Sequence, residues 1–258
     1  MENTDIESAF PRQLPKFGFA LACILSVIFL FLAYSNHFHN DFHFDDSNVI
    51  EENLYIRSLN NIPTLFTDAR TYSRTPEIVV YRPMVMVTYA MDYWLSGELD
   101  PWQFHVTQFI LLLLLGAGLV CLFLKLMNQV ALQPWNQYAA LFAALLFGVH
   151  TANTTTINYI SARSDLFSTL FVIVAFLVYL YFPKLRRFHL FLVPMILGAL
   201  AKVPAVIFAP ILFMYILFFE KGLSLGDMFS SESWPKIKSA IGYTLPTFIT
   251  GISLFWFC

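Results

Sequence analysis

Residues 105–127, HVTQFILLLLLGAGLVCLFLKLM, decide the fold class of this chain. The run is almost wholly apolar, and at 1.5 Å per residue it is long enough to cross a hydrocarbon core of about 30 Å as a single helix. The composition indicates that much of the remaining chain is also in a membrane. Of the 258 residues, 58% are hydrophobic and only 12% are charged, whereas about 25% of the residues in a soluble domain are charged. The sequence therefore predicts an all-α integral membrane protein.

Further apolar runs on both sides of this one predict a polytopic bundle of about seven transmembrane helices. Residues 188–219 count as two short spans, because Lys202 and Pro204 interrupt a run that is too long for one span. The remaining predicted spans cover residues 17–35, 135–149, 166–182 and 240–258. We expect the chain to be truncated at its C-terminus and to be part of a longer protein, because it stops within an apolar run.

The distribution of lysine and arginine predicts the orientation of these spans. With residues 1–16 in the cytoplasm, the segments on the cytoplasmic side hold these residues at more than twice the density of the segments on the opposite side, as the positive-inside rule requires. Residues 36–104 then form a large extracytoplasmic loop that carries amphipathic interfacial helices, and residues 105–258 form a bundle of about six further spans. A bacterial inner membrane and an endoplasmic reticulum membrane fit this pattern equally well.

Two adjacent carboxylates, Asp45 and Asp46, lie in the predicted loop shortly after the first span. One interpretation is structural: Asp46 or Ser47 caps a helix that runs through residues 49–55. The other is catalytic: one carboxylate acts as a general base and the second orients an acceptor, since partial desolvation beside a membrane can tune the pKa of a carboxylate. Both interpretations can hold at once, and a divalent cation held by the two carboxylates is a further alternative.

Arg82 and His105 are two further polar residues near the predicted membrane surface. The motif Tyr81-Arg82-Pro83 precedes an amphipathic helix predicted for residues 84–95, with Pro83 in its first turn. At that helix N-terminus, Arg82 either contributes to anion recognition or pairs with a loop carboxylate. His105 opens the next span, where a lone histidine commonly serves as an amphipathic anchor.

A second polar string, which begins near His150 and ends near Asp165, connects two predicted spans on the same side of the membrane. Arg163 and Asp165 stand at the entrance to the following span, where the structural interpretation is an ion pair with each other or with neighbouring residues. Lys202 lies at the tip of a predicted helical hairpin, where it either extends its amine to the membrane surface or binds an anion.

The polar residues on the outer side are two carboxylates, several cations and histidines. This set fits the transfer of a group from an anionic, membrane-embedded donor, because a carboxylate can take a proton from the acceptor while cations stabilise the departing phosphate. The three cysteines show no ligand spacing, so neither a metal site nor a disulfide framework follows from them, and no cofactor is required. A net charge of −2 lacks the basic balance expected of a nucleic-acid-binding protein.

The motifs also occur in a characteristic order. They are Phe44-Asp45-Asp46 with Val49, Ile50 and Asn53, then Tyr81-Arg82-Pro83, Phe104-His105, and His150 with Ile157, Ile160, Arg163, Asp165 and Leu166. This combination resembles the membrane half of transmembrane and tetratricopeptide-repeat O-mannosyltransferases and their bacterial relatives, which are polytopic glycosyltransferases of the GT-C class. The resemblance covers roughly residues 41–210.

The resemblance implies that a sugar, mannose or a related hexose, moves from a polyprenyl-phosphate donor to a hydroxyl of a protein or glycan acceptor. The transfer would take place with inversion on the extracytoplasmic or lumenal side, among membrane lipids. By the same resemblance, Asp45 is the catalytic base and Asp46 positions the acceptor. The remaining candidates are Arg82, Arg163 and Lys202 for the donor phosphate, with His105, His150 and Asp165 in supporting roles.

Three departures from the family pattern bear on the activity. Thr151 and Thr155 stand where members of the family usually have a proline after the histidine and then an acidic residue. Val203 stands where a glutamate usually follows the lysine, and residues 106–108 lack a usual asparagine. These differences imply a changed acceptor, another sugar or weak activity.

Two other classes of protein remain as alternatives. A transporter or flippase-like carrier needs polar groups near the middle of the membrane and access from both faces, whereas the polar residues of this chain gather on one side. A non-catalytic assembly subunit would keep the fold and lose the chemistry, which agrees with the missing acidic residues at Thr155 and Val203.

Overall fold

The computed structural model describes residues 16–75, 77–228 and 230–258. These residues form α-helices joined by short 3₁₀ and π-helical turns, and no β-strand occurs among them. In chain order the α-helices of this part of the chain are α1 (Lys16–Ala33), α2 (Ile62–Thr67), α3 (Pro83–Ser96), α4 (Pro101–Val130), α5 (Asn136–Val149), α6 (Thr154–Asn158), α7 (Arg163–Tyr181), α8 (Pro183–Arg186), α9 (Leu192–Ala199), α10 (Phe208–Tyr215) and α11 (Trp234–Phe257). The all-α prediction is therefore confirmed for the described residues.

Among the described residues, four helical segments are long and apolar enough to cross a membrane. They are Pro101–Val130, Ile160–Tyr181, Val203–Glu220 and Ser231–Phe257. A fifth span results if α5 and the segment Thr151–Asn158, which meet at an angle of 51°, are taken as one bent span. These segments support the prediction of a membrane protein, whereas the predicted number of seven spans is not confirmed.

The predicted number of spans exceeds the observed number because several apolar runs form only short helices. α5 has 14 residues and α9 has 8, so at 1.5 Å per residue they reach only about 21 Å and about 12 Å, less than the thickness of a hydrocarbon core. The apolar helix at Phe17–Ala33 is also shorter than the four long segments. Counting apolar residues along the sequence does not reveal where the main chain leaves the helix, and the count therefore exceeds the number of long helices.

α4 packs along both α5 and α7, and α7 packs against α9. Glycines allow this close approach: a Cβ atom at Gly118 of α4 would lie 2.9 Å from Cγ2 of Ile173 on α7. A Cβ atom at Gly198 of α9 would lie 2.9 Å from Cβ of Phe171, also on α7. Small residues commonly mediate helix contacts in membranes, and here they fix the position of α7, whose first residues belong to the candidate site.

The chain leaves the helix at Lys202, where the sequence predicts a break. α9 ends at Ala199, and the backbone is extended at Lys202 before the 3₁₀ turn Val203–Ile207 leads into α10. The main-chain N–H of Met84, at the start of α3, donates to the carbonyl of Leu200 over 3.4 Å. This contact brings the break in the bundle against the end of the predicted extracytoplasmic loop.

The predicted loop, residues 36–104, consists of short helical turns together with α2 and α3. Buried Asn53 ties two parts of it together, because its Nδ2 donates to the carbonyls of Thr71 at 3.0 Å and Tyr72 at 3.2 Å. α3 corresponds to the helix predicted for residues 84–95 and has a proline in its first turn, as expected. Its buried face consists of Pro83, Val85, Met86, Tyr89, Ala90 and Asp92.

Candidate active site

Asp46 is buried where the loop meets the N-terminal end of α7. Its Oδ1 accepts hydrogen bonds from the main-chain N–H of Ser161, 2.9 Å away, and from the Ser161 hydroxyl. Its Oδ2 accepts from the main-chain N–H of His43 at 3.0 Å. Burial raises the pKa of Asp46 above its ordinary value in spite of these donors. Oδ1 thus holds the loop against the 3₁₀ turn Ile160–Ala162, and Oδ2 ties the side chain to the main chain of its own segment.

The predicted helix cap at Asp46 is wrong. Residues Ser47–Glu51 form a single π-helical turn instead of a helix that continues to residue 55, and the Asp46 side chain makes no capping hydrogen bond to this turn. The carboxylate binds Ser161 and His43 instead. A tertiary contact with Ser161 and a bond to His43, three residues earlier in the chain, therefore replace the capping bond that the sequence pattern suggested.

Asp45 is exposed, in contrast to its neighbour. Its main-chain N–H donates to the hydroxyl oxygen of Tyr159 over 3.0 Å. Its main-chain carbonyl accepts from the N–H groups of Asn48 at 3.1 Å and Val49 at 2.9 Å. The backbone of Asp45 is therefore held on both sides while its carboxylate remains accessible to a ligand.

Arg82 connects the loop to the first turn of α7. Its Nη1 donates to the hydroxyls of Tyr72 and Ser164, both at 3.3 Å, and its guanidinium carbon lies 5.4 Å from the centroid of the Tyr72 ring. These partners are neutral, and none of the ion pairs in the described part of the chain includes Arg82. The alternative in which Arg82 pairs with a loop carboxylate is thus not observed, and its charge is available to an anion.

Lys202 forms an ion pair with Asp165, with 2.6 Å between Nζ and Oδ1. The side chains are 27% and 45% exposed, respectively, so the pair is within reach of a ligand. The prediction that Arg163 and Asp165 pair with each other is wrong, because each pairs with a residue that is distant in the sequence: Arg163 with Asp92 and Asp165 with Lys202. Residues two apart in a helix point in different directions, which explains why these two side chains find separate partners.

Arg163 lies in the interior and has no exposed side-chain surface. Its Nη1 is 2.5 Å from Oδ2 of Asp92 and 3.1 Å from Oγ1 of Thr88. Its Nε donates to Oε1 of Gln108 at 3.2 Å, and its Nη2 donates to the carbonyl of Phe104 at 2.8 Å. The prediction that Arg163 binds the donor phosphate does not fit this geometry, because its charge is neutralised and its donors are used inside the protein.

The two predicted supporting histidines lie in different surroundings. His150 is exposed, and its Nδ1 accepts from the main-chain N–H of Ala152 at 3.2 Å, so it caps a short turn. His105 is buried with its ring centroid 4.3 Å from that of His37, and neither of its ring nitrogens has a hydrogen-bond partner in the described structure. His37 is held in turn between the His105 carbonyl and the Asn158 side chain.

Residues 159–165 bring the loop and the bundle together. Each of four side chains in this segment contacts one residue that the sequence singled out: Tyr159 contacts Asp45, Ser161 contacts Asp46, Ser164 contacts Arg82 and Asp165 contacts Lys202. The structure thus gathers an exposed carboxylate and two partly exposed cations around one end of α7.

Sequence reasoning missed Tyr159, Ser161, Ser164 and Asp92. A usable signal existed for Asp92, which is the one charged residue in the predicted helix at residues 84–95, because a carboxylate on an apolar helix face needs a partner. Tyr159 and the two serines gave no comparable signal, because their partners lie far away in the sequence.

The described residues contain no group of three or more His, Cys, Asp or Glu side chains that could hold a metal ion. Both oxygens of Asp46 already accept hydrogen bonds. A divalent cation at Asp45 and Asp46 therefore stays a prediction without support from the geometry.

Comparison with known proteins supports the resemblance that the motifs suggest. Protein O-mannosyl-transferase TMTC4 of mouse is 29% identical to this chain over 187 residues, and its human counterpart is 31% identical over 188 residues. Each match covers 69% of this chain and 25% of the relative. Protein O-mannosyl-transferase tmtc2 of Xenopus laevis is 29% identical over 180 residues, which is 66% of this chain and 20% of the relative.

The chain thus spans about a quarter of the length of the TMTC4 proteins that it matches. No family model matches the chain, and no solved structure matches it. Over about two thirds of its length, the predicted resemblance of this chain to the transmembrane and tetratricopeptide-repeat O-mannosyltransferases is confirmed.

Proposed function

We propose that this chain is the membrane part of a glycosyltransferase that moves a mannosyl group, or a related hexose, from a polyprenyl-phosphate donor to a hydroxyl of a protein or glycan acceptor. The observation that carries the proposal is the exposed carboxylate of Asp45 on a backbone held from both sides, at the same end of the bundle as Arg82 and Lys202. The names of the matched relatives, which are protein O-mannosyl-transferases, agree with it.

The proposed reaction is a single displacement at the anomeric carbon. The carboxylate of Asp45 accepts the proton of the acceptor hydroxyl while the hydroxyl oxygen forms a bond to the anomeric carbon. The bond between this carbon and the phosphate oxygen breaks, and its electron pair leaves with the lipid phosphate. Because the attacking and departing oxygens lie on opposite faces of the sugar, the configuration is inverted.

Arg82 and Lys202 are the proposed partners of the departing phosphate. The hydrogen bonds of Arg82 go to neutral hydroxyls, so a phosphate would be the first anion on its guanidinium. Lys202 already neutralises Asp165, and a phosphate would compete with that carboxylate. Cations aimed at a developing negative charge stabilise the transition state, and we therefore assign the larger share of this effect to Arg82.

Asp46 and Arg163 have other roles in this proposal than those implied by the family resemblance. Asp46 holds the loop, and through the loop the backbone of Asp45, because both of its oxygens are engaged. Arg163 holds α3, α4 and α7 together through Asp92, Gln108 and the carbonyl of Phe104. Neither residue is placed in contact with the donor.

The proposal is tested by sugar transfer in liposomes that contain the chain and radiolabelled mannosyl polyprenyl phosphate, with a mixed pool of peptide and glycan acceptors. Replacement of Asp45 by Asn should lower kcat by about 10²-fold to 10⁴-fold, the range for loss of a general base. Asp41→Asn is the matched control, because Asp41 is an exposed carboxylate on the same loop, and we expect it to retain activity.

Three results would count against the proposal. Full activity of Asp45→Asn would remove its role as the base, and equal losses in both variants would show that the loop tolerates no change of charge. Donor binding without transfer by the wild-type chain would favour the assembly subunit instead. Equal membrane insertion of all variants must be shown by their recovery in the liposome fraction.

A further inference from the structure

The hydroxyl of Tyr159 is the side-chain group that holds the backbone of the proposed base. Its oxygen accepts the main-chain N–H of Asp45 over 3.0 Å. The ring of Tyr159 also meets the ring of Phe44 edge to face, with 6.1 Å between the centroids and an angle of 89° between the planes. Tyr159 therefore contacts two consecutive residues of the loop by two different kinds of interaction.

The turn that Tyr159 contacts is strained. Phe44 has a φ angle of 52°, in the left-handed region that a residue with a Cβ atom adopts only at a cost of the order of 1 kcal/mol or more. Such a conformation persists when surrounding contacts determine it. The contacts on either side are the hydrogen bond from Asp45 to Tyr159 and the hydrogen bonds of Asp46 to Ser161 and His43.

Asp46 and Tyr159, which hold the turn on its two sides, differ in burial and in the hydrogen bonds that remain available to them. Asp46 is buried and both of its oxygens are engaged, so it anchors the loop. Tyr159 is half-buried; its oxygen accepts the main-chain N–H of Asp45, and its hydroxyl proton can be donated to the Asp45 carboxylate, which adds to the effect of burial on the Tyr159 pKa. Burial raises the pKa of Tyr159 to about 12, and the hydroxyl therefore keeps this proton at neutral pH.

We propose that Tyr159 is a positioning residue for Asp45: its hydroxyl holds the main-chain N–H of Asp45 and so fixes where the carboxylate meets the acceptor. This inference rests on the proposed function, in which Asp45 is the base. It assigns a role in the reaction to a residue outside the motifs that carry the family resemblance.

The test separates the hydroxyl from the ring. Tyr159→Phe keeps the contact with Phe44 and removes the acceptor of the Asp45 N–H. Tyr55→Phe is the matched control, because Tyr55 is an exposed tyrosine on the loop that carries Asp45. Each variant is reconstituted in liposomes and measured twice, by hydrogen exchange at the Asp45 amide and by transfer from mannosyl polyprenyl phosphate.

We expect Tyr159→Phe to speed exchange at the Asp45 amide by about fivefold to tenfold, the effect of losing one hydrogen bond. We also expect kcat to fall by about tenfold with the KM for the donor unchanged, because the transition state depends on the position of the base and donor binding does not. Tyr55→Phe should change neither quantity.

Other outcomes overturn the inference. Unchanged exchange at Asp45 in Tyr159→Phe would show that the hydroxyl does not hold this amide. Faster exchange with an unchanged kcat, or a raised KM with an unchanged kcat, would show a contact that is only structural. If the wild-type chain transfers no sugar, the proposed function fails and the role in catalysis fails with it, whereas the exchange measurement still decides whether the hydroxyl holds the loop.

Discussion

Two groups of polar side chains at the loop end of the bundle differ in burial and in the number of their partners. The deep layer consists of Arg163, Asp92 and Asp46, which are buried and fully engaged in ion pairs or hydrogen bonds. The shallow layer consists of Asp45, Arg82, Lys202 and Asp165, which are exposed or half-buried and have fewer partners. Residues of the family motifs occur in both layers.

The comparison shows that burial decides which motif residues are free to bind a ligand. Arg163 has no exposed side-chain surface, whereas Lys202 is 27% exposed. A buried charge that loses its partner is costly, so residues of the deep layer must keep the partners that they have. A partly exposed charge can exchange its partner for a ligand at little cost.

The largest effect is expected from Arg163→Met, which removes one partner of the buried ion pair. The carboxylate of Asp92 would remain in the interior without its cation, and the free energy of unfolding should fall by about 3 to 5 kcal/mol. The measurement is unfolding of the purified protein in detergent. Arg70→Met is the matched control, because Arg70 pairs with Asp68 while 69% exposed, and it should leave the stability of the protein without a measurable change.

A double variant sharpens the same test. Arg163→Met combined with Asp92→Leu removes both charges, and much of the lost stability should return because no unpaired ion remains inside. If the double variant were as unstable as Arg163→Met, the shape of the arginine side chain, and not its charge, would hold the helices together.

A smaller effect is expected from Asp46→Asn. The side-chain amide has one oxygen and one nitrogen, so its nitrogen would face an N–H donor of Ser161 or His43 that now binds a carboxylate oxygen. Loss of one such buried hydrogen bond costs about 1 to 3 kcal/mol. Unfolding in detergent measures it, and a variant as stable as the wild type would show that the loop does not depend on this carboxylate.

The pH dependence of stability provides an independent check on Asp46. Burial raises its pKa in the folded protein above the ordinary value of 3.8, which applies to the unfolded chain. At a pH between the unfolded-state pKa and the folded-state pKa, the folded protein keeps a proton that the unfolded chain has released. Asp46 therefore lowers the free energy of unfolding as the pH rises through this window. Burial lowers the pKa of His37, so His37 makes the free energy of unfolding rise with pH, opposite to the effect of Asp46. The contribution of Asp46 is therefore obtained from the difference between the pH profiles of the wild type and Asp46→Asn.

The sequence predicted the class of the fold because its signal is local. The apolar run at residues 105–127 lies inside α4, and the helix at residues 84–95 and the break at Lys202 follow from nearby residues. The motifs likewise led to the resemblance that the comparisons confirm. The count of seven spans exceeded the long helices because short apolar helices such as α9 carry the same local signal.

The division into two layers could not be predicted in this way, because it depends on contacts between distant residues. Arg163 pairs with Asp92 across 71 positions of the sequence, and Asp46 binds Ser161 across 115. Neighbouring charges such as Arg163 and Asp165 suggested a local pair instead. A helical string of polar residues alternates between deep and shallow positions, and only the packing of α7 against α3 and α4 shows which residue faces inward.

The smallest effect on stability is expected in the shallow layer, from Lys202→Met and Asp165→Asn. A double-mutant cycle on unfolding should give a coupling energy of about 0.2 to 1 kcal/mol, the range for a partly exposed ion pair, while Lys202→Met should weaken binding of a polyprenyl phosphate to the reconstituted chain. A coupling as large as that between Arg163 and Asp92 would place Lys202 in the deep layer. Lys202 would then have to be removed from the proposed phosphate site for the same reason as Arg163, which would leave Arg82 as the proposed cation for the donor phosphate.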